Sequence, residues 1–491
     1  MQNKLIFDIY YIIFKNLQYD KNTLFSCVLL NKEISRLVTS ILWKNPYIIY
    51  SKLTQYQLAL LTRTYLLCIN KKAKFYLKNK CLRLSIFKKT TFDYYCYIEE
   101  ILNIDILYNS IIYWILLEYE KYSKDQINNY IKINCFKNLQ IQYPIFNSLY
   151  YMFINNGKIK SLAISKDTVK IKDKFDRMLF KNDLNISTLT QLIIYLKDEK
   201  NKMDKNSLNI ILKIIAKYCH NINNIKIYNF MAFTNQKTLN FSNLKEIIKI
   251  QKKLYKIEFL SPEQNIYINR IMSNFRLNNS LIDIVIEEID FSNNATLKNL
   301  TSLNLLKSLT LRKCKGISIL NFEILSKSEI TLDTLKFENN YFSLILILSI
   351  CKYLKVLKTN QLDDDSINFI INNCLNSLKL LDIEINTITD ILFYDLIIKS
   401  KLKHLKIMFY NEFNKKIIID LANYLPKNLK YLGLFTFKEF EIDSLRNFLI
   451  NLKTNIDILE IFGCNNYLIN CLSTIKNIRS NLLIINNKVL I

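Results

Sequence analysis

Leu306-Lys307-Ser308-Leu309-Thr310-Leu311-Arg312-Lys313-Cys314 spells the pattern L-x-x-L-x-L-x-x-C, and Leu332-Asp333-Thr334-Leu335-Lys336-Phe337-Glu338-Asn339-Asn340 spells it again with asparagine in the last place. Related runs start at Leu354, Leu378, Leu402, Leu429 and Ile456, so that successive starts lie 26, 22, 24, 24, 27 and 27 residues apart. Alternation with a period of two marks each run as a short strand. Leu309 and Leu311 then face a core, and Ser308, Thr310 and Arg312 face the other way. A unit this short cannot bury its apolar side alone, so the repetition predicts a stack in which each unit covers the next.

Both signature and spacing resemble the leucine-rich repeat, whose units run about 20–29 residues. The resemblance implies an α/β solenoid with parallel strands on the concave face and helices on the convex face. Fainter strand signals precede the clear ones, at 136–141, 159–164, 189–194, 222–227, 254–259 and 281–286, with the early steps ranging from 23 to 33 residues. Helical segments fall between strands, at 207–219, 366–374 and 417–425. The repeat region is expected over residues 136–491, behind a helical linker over 47–135 with helices at 53–67 and 94–122.

The first 46 residues read differently. Leu5, Ile9, Ile13, Phe14 and Leu17 recur at three- and four-residue steps; Leu24, Cys27, Val28 and Leu30 follow a polar break; Ile34, Leu37, Val38, Ile41 and Leu42 lead to Trp43 and Pro46. These steps predict three short helices closed by proline. So small a bundle is not stable alone and has to dock on its neighbour or on a partner.

Residues 4–46 resemble the F-box. The matching residues are Leu5, Asp8, the Ile13-Phe14 pair, Leu17, Asp20-Lys21 and Thr23-Leu24, then Ser26-Cys27-Val28-Leu29-Leu30-Asn31-Lys32 and Ile41-Leu42-Trp43-Lys44-Asn45-Pro46. The run is similar to those of expanded fungal F-box families with leucine-rich repeats. Ile6 stands where that pattern has proline, and Ile34 where it has tryptophan. The resemblance implies a substrate-recognition subunit of a Skp–cullin–F-box ubiquitin ligase, cytoplasmic or nuclear. Leu5, Ile9 and Ile13 would lie nearest a Skp-type adaptor, and through it a cullin–RING ligase. Phe14, Leu17, Val28 and Trp43 belong to the same helices, and spacing alone leaves adaptor contact and core formation both open for each of them.

Bulk composition narrows the remaining possibilities. The chain has 491 residues, of which 50% are hydrophobic and 22% charged, enough to build a core. Its formal net charge of +26 would attract nucleic acid or an acidic surface. The lysines are dispersed among abundant Asn, Ile and Tyr, the usage of an AT-rich coding sequence, which weighs against nucleic acid as partner. A basic nucleic-acid-binding solenoid, and a repeat scaffold whose F-box is degenerate, stay open as alternatives. Eleven cysteines without a C-x-x-C pair read as free thiols. No apolar stretch reaches the roughly 18 residues of a membrane helix, so no membrane partner is expected.

Two histidines, His220 and His404, and four scattered glycines supply neither a nucleophile–base pair nor a phosphate loop. No enzyme, cofactor or metal is therefore expected, and Asp363-Asp364-Asp365 reads as an acidic helix cap. The outward positions of the last strands carry Met408, Tyr431, Phe435 and Phe462, side chains suited to anchoring a target protein. The alternative is that a terminal element folds over them as a cap.

Overall fold

The computed structural model describes residues 2–18, 20–45, 47, 53–79, 93–102, 104–118, 139–155, 158–165, 186–195, 205–230, 242–262, 271–272, 280–292, 300–301, 303–316, 331–360, 362–385, 390–409, 415–436, 442–462 and 483–486. Two compact units divide the chain, Met1–Leu254 and Tyr255–Ile491.

The first unit opens with helices α1 (Gln2–Asn16), α2 (Lys21–Val28) and α3 (Lys32–Leu42). Short polar side chains set their starts. Asp20 accepts from the Thr23 N–H at 3.2 Å, and Asn31 accepts from Glu33 and Ile34 at 3.0 and 2.8 Å, satisfying donors that a helix start leaves unpaired. Phe14, Leu24, Val38, Ile41 and Leu42 form a common core, with Leu17, Val28, Ile34 and Trp43 packed on it. Pro46, expected to close this stretch, lies outside the described residues.

Next come α4 (Gln55–Cys68), opened by a Thr54–Gln57 capping box, and α5 (Lys71–Asn79). The helix expected at 94–122 is instead a 3-10 turn (Tyr94–Tyr97), a two-residue strand β1 (Glu100–Ile101) and helix α6 (Ile104–Glu118). The strand expected at 136–141 is also corrected. From Leu139 the chain is helical, as α7 (Leu139–Ile154), because Ile145, Phe146, Leu149, Tyr150 and Phe153 bury one face at helical steps that a six-residue window does not reveal. Strands β2 (Ser161–Ser165), β3 (Gln191–Tyr195) and β4 (Asn224–Phe230) then follow in parallel, with helices α8 (Lys205–Tyr218) and α9 (Ser242–Ile250) packed together.

Among the described residues the second unit holds ten strands paired in parallel in chain order: β5 (Lys256–Pro262), β6 (Asp283–Glu287), β7 (Ser308–Arg312), β8 (Thr334–Glu338), β9 (Val356–Thr359), β10 (Leu380–Ile385), β11 (His404–Phe409), β12 (Tyr431–Thr436), β13 (Ile458–Phe462) and β14 (Leu483–Asn486). Its helices include α10 (Ile345–Leu348), α11 (Asp364–Asn373), α12 (Asp390–Lys399), α13 (Lys415–Tyr424) and α14 (Ile442–Asn451), each packed on the next. Leucines at equivalent places meet across the coils: Leu309 pairs with Leu335, Leu335 with Leu357, and Leu381 with Leu405. All five are buried. This is the leucine-rich-repeat architecture that the spacing predicts.

One hydrogen-bond motif joins successive coils. The carbonyl just before a strand, or at Lys44 just after α3, accepts from two consecutive N–H groups of the following coil. In the first unit Lys44, Glu99, Lys160 and Thr190 do so, and in the second Tyr255, Ile282, Lys307, Asp333, Lys355, Lys379, Lys403 and Lys430, at 2.7–3.3 Å. The series starts at Lys44, directly after α3, so the N-terminal helices enter the first unit through the joint that its coils share. Lys44 also pairs with Glu99 and Glu100, and Asn45 donates to Glu100. Trp43 packs against Tyr65 and Tyr94, with ring centroids at 5.3 and 4.2 Å.

The ninth motif position has its own role. Glu288, Lys313 and Asn339 follow β6, β7 and β8 with φ of 63°, 51° and 52°, turning the chain away from the sheet. That turn places Cys314 and Asn340 inside. The Asn340 carboxamide accepts from the Cys314 N–H at 2.8 Å and donates to the Leu311 carbonyl at 3.0 Å. Backbone groups that would be buried without partners are thereby satisfied.

Candidate functional site

Two surfaces stand out, one in each unit. In the first, α1 is apolar on nearly every side, yet Phe14 is its only buried residue among those whose side chains are described. Ile9, Ile12 and Ile13 are 50%, 58% and 45% exposed, and Phe25, Leu29 and Leu30 at α2 and its end are also open. A helix apolar all round ordinarily lies inside a protein. The structure thus separates the predicted adaptor residues. Ile9 and Ile13 reach solvent, whereas Phe14, Leu17, Val28 and Trp43 pack into or against the core of the three helices. Leu5 lies in α1, but its side chain is outside the described set.

The second surface is the face of the second unit's sheet opposite the leucines. Strand register aligns its side chains in rows. One row runs Asp382, Lys406, Gly433, Glu460, and the next runs Glu384, Met408, Phe435, Phe462. The predicted target anchors therefore come together: Met408, Phe435 and Phe462 occupy adjacent strands, and Tyr431 lies on the strand of Phe435. Phe435 and Phe462 stack with centroids 6.1 Å apart. The Lys406 ammonium sits 4.3 Å from the Phe435 ring centre, a cation–π contact.

Gly433 makes this packing possible. A Cβ there would lie 2.8 Å from Phe435 Cε2, 3.0 Å from Tyr431 Oη and 3.3 Å from Lys406 Cγ. Without one, the three side chains lean over the strand. The Tyr431 hydroxyl donates to Glu460, and burial together with that carboxylate holds the phenol well above its usual pKa. Gly433, Lys406 and Glu460 are the members of this cluster that hydrophobic patterning misses. A small residue at an outward strand position between two aromatics is the signal that would have found them. The strand β14 pairs edgewise with β13, continuing the sheet beside Phe462.

Elsewhere on this face charges are paired. Lys256 lies 3.2 Å from both Glu258 and Asp283, Arg312 is 2.8 Å from Glu338, and Lys358 is 2.9 Å from Asp382. Burial lowers the Lys256 pKa, but the two carboxylates outweigh it and the net shift is upward.

The other candidates resolve simply. Asp363 caps α11 by accepting from the Ser366 N–H at 2.8 Å, with Asp364 and Asp365 in the first turn, as the sequence predicts. No group of three or more metal-ligating side chains occurs among the described residues. His220 and His404 are both exposed. No described helix is long and apolar enough to cross a membrane.

Strand, return helix, inward leucine and closing asparagine define a repeat protein of the leucine-rich type carrying an N-terminal three-helix module. No protein-family model matches the chain. No curated protein matches it either. Among solved structures it is similar to a chain in the crystal structure of the Rad7 and Elc1 complex in yeast, at 16% identity over 69% of this chain and 83% of that one, with a TM-score of 0.41. It is also similar to a chain in the crystal structure of the TLR13–ssRNA13 complex, at 15% identity over 62% of this chain and 43% of that one, with a TM-score of 0.37.

Proposed function

We propose that this chain is the substrate-recognition subunit of a Skp–cullin–F-box type ubiquitin ligase. Its N-terminal helices would bind a Skp-type adaptor, and the open sheet face of the second unit would hold the target protein. The chain itself does no chemistry; it brings target and ligase together, and proximity alone accounts for large rate gains in such transfers.

One observation carries the proposal: α1 is apolar on nearly all sides and is left open there, in a stretch whose residues resemble the F-box. Ile9, Ile12 and Ile13 supply the contact on this reading, and Phe14, Leu17, Val28 and Trp43 supply the rigid support behind it. Co-expression with a Skp-type adaptor and affinity capture test it. Wild type should retain the adaptor, and an Ile9→Asp, Ile13→Asp variant, which replaces no core residue, should lose it. Equal retention by both would exclude the docking role of α1. A wild-type chain that captures a target but no adaptor would make it a repeat scaffold outside any ligase. For the second surface, a folded Tyr431→Ala, Phe435→Ala variant should lose target capture.

A further inference from the structure

The outward rows of the second unit's sheet carry a charge opposite to that of the chain. From β5 to β13 they hold five cations, Lys256, Arg312, Lys336, Lys358 and Lys406 among them, and seven carboxylates, in a protein whose net charge is +26. The carboxylates follow a track. Glu287, Arg312, Glu338 and Glu384 stand on β6, β7, β8 and β10, with Arg312 paired to Glu338, at the row that continues into Met408, Phe435 and Phe462. At about 4.8 Å per strand, that row is roughly 34 Å long, the reach of about ten extended residues. Three carboxylates and one guanidinium, a net negative stretch, thus lead into an aromatic one.

We infer that this face binds an extended, lysine- or arginine-rich segment of a protein partner that ends in an aromatic or large aliphatic anchor. The basic residues would lie along Glu287 and Glu384, and the anchor would sit on Phe435 and Phe462. Charge complementarity selects this occupant over nucleic acid, which the acidic rows would repel. The inference rests on the open face being the target surface and names the class of target.

Fluorescence anisotropy with the full chain tests it, using three labelled ten-residue peptides: a Lys-rich one ending in Leu-Phe, the same with Glu for every Lys, and the first with Ala-Ala for Leu-Phe. The Lys-rich peptide should bind at least about tenfold tighter to wild type than to Glu287→Lys, Glu384→Lys, a surface variant whose fold is checked by circular dichroism. Replacing Leu-Phe by Ala-Ala should cost wild type a comparable factor, and Phe435→Ala, Phe462→Ala should abolish the difference between those two peptides. Binding of the Glu peptide that the charge-reversal variant leaves unchanged belongs to the basic remainder of the surface and agrees with the inference. Equal affinity of wild type and the charge-reversal variant for the Lys-rich peptide overturns it, as does labelled single-stranded RNA that binds wild type more tightly than the Lys-rich peptide and loses that binding in Phe435→Ala, Phe462→Ala. If Tyr431→Ala, Phe435→Ala still abolishes target capture while the Lys-rich peptide shows no preference, only the basic-segment inference fails and the target surface stands.

Discussion

Asn340 shows how much one side chain decides. It is 3% exposed and serves two backbone groups of the preceding coil, so Asn340→Ala takes the acceptor from the Cys314 N–H and one donor from the Leu311 carbonyl. A buried donor left without its partner costs about 1–3 kcal/mol. Urea unfolding of Asn340→Ala should show a loss of that order or more, whereas Asn339→Gly, at φ 52°, should be neutral or stabilising. Buried thiols give a second test at this scale. Burial pushes Cys219 and Cys314 up to about 12 and Cys374 to about 11, and raises Cys351 well above its ordinary value. All four should resist alkylation in the native protein at neutral pH and react once it is denatured, while Cys27, only partly buried against the core of the three helices, should react sooner than they do; peptide mass mapping reads this site by site.

Elements were legible where a period fixed them and obscure where it did not. The strands from β2 to β13 each begin two residues into a run that alternation marks, because an inward leucine pair between polar neighbours packs stably in a stack only as a strand. The segment near Leu139 misled because L-x-I-x satisfies a strand over four residues, and its helical face appears only from Ile145 onward. Strand β1 was invisible: two residues carry no period, and only the carbonyl of Lys44 and the partner strand β2 define it. At the candidate sites, exposure was the missing variable. Spacing treated Ile13 and Phe14 alike, yet neighbouring positions on a helix point about 100° apart, and one is open while the other is core. Trp43 acts at this scale too. Its ring ties α3 to α4 and to the Tyr94 turn, so Trp43→Ala should cost about 3 kcal/mol, the lower end of the range for a core tryptophan because the ring is partly exposed. Limited proteolysis of that variant should cut first near residues 43–55, ahead of the repeat strands.

For the whole molecule, the open apolar face of α1 and α2 sets behaviour in isolation. Large exposed apolar patches drive association. Purified without a partner, the chain should bind a hydrophobic dye and self-associate in a concentration-dependent way. Ile12→Asp, Leu29→Asp should reduce both, as read by dye fluorescence and light scattering; an unchanged dye signal would show that these side chains are covered in solution. The N-terminal module also bears on how any bound partner is held. Its exit at Lys44 is bonded to Glu99 and Glu100 through main chain and side chain alike, so within the first unit it is seated, not tethered.

The shared carbonyl joint has a mechanical consequence. In the second unit its bonds, like the ladder bonds, point along the stacking direction. Tension applied between β5 and β13 would therefore peel rungs singly instead of shearing a whole sheet. Each released coil of 22–27 residues frees about 80 Å of chain at roughly 3.4 Å per residue. Optical tweezers should record a saw-tooth of low, evenly sized steps, the trace of a ratchet that lets go tooth by tooth.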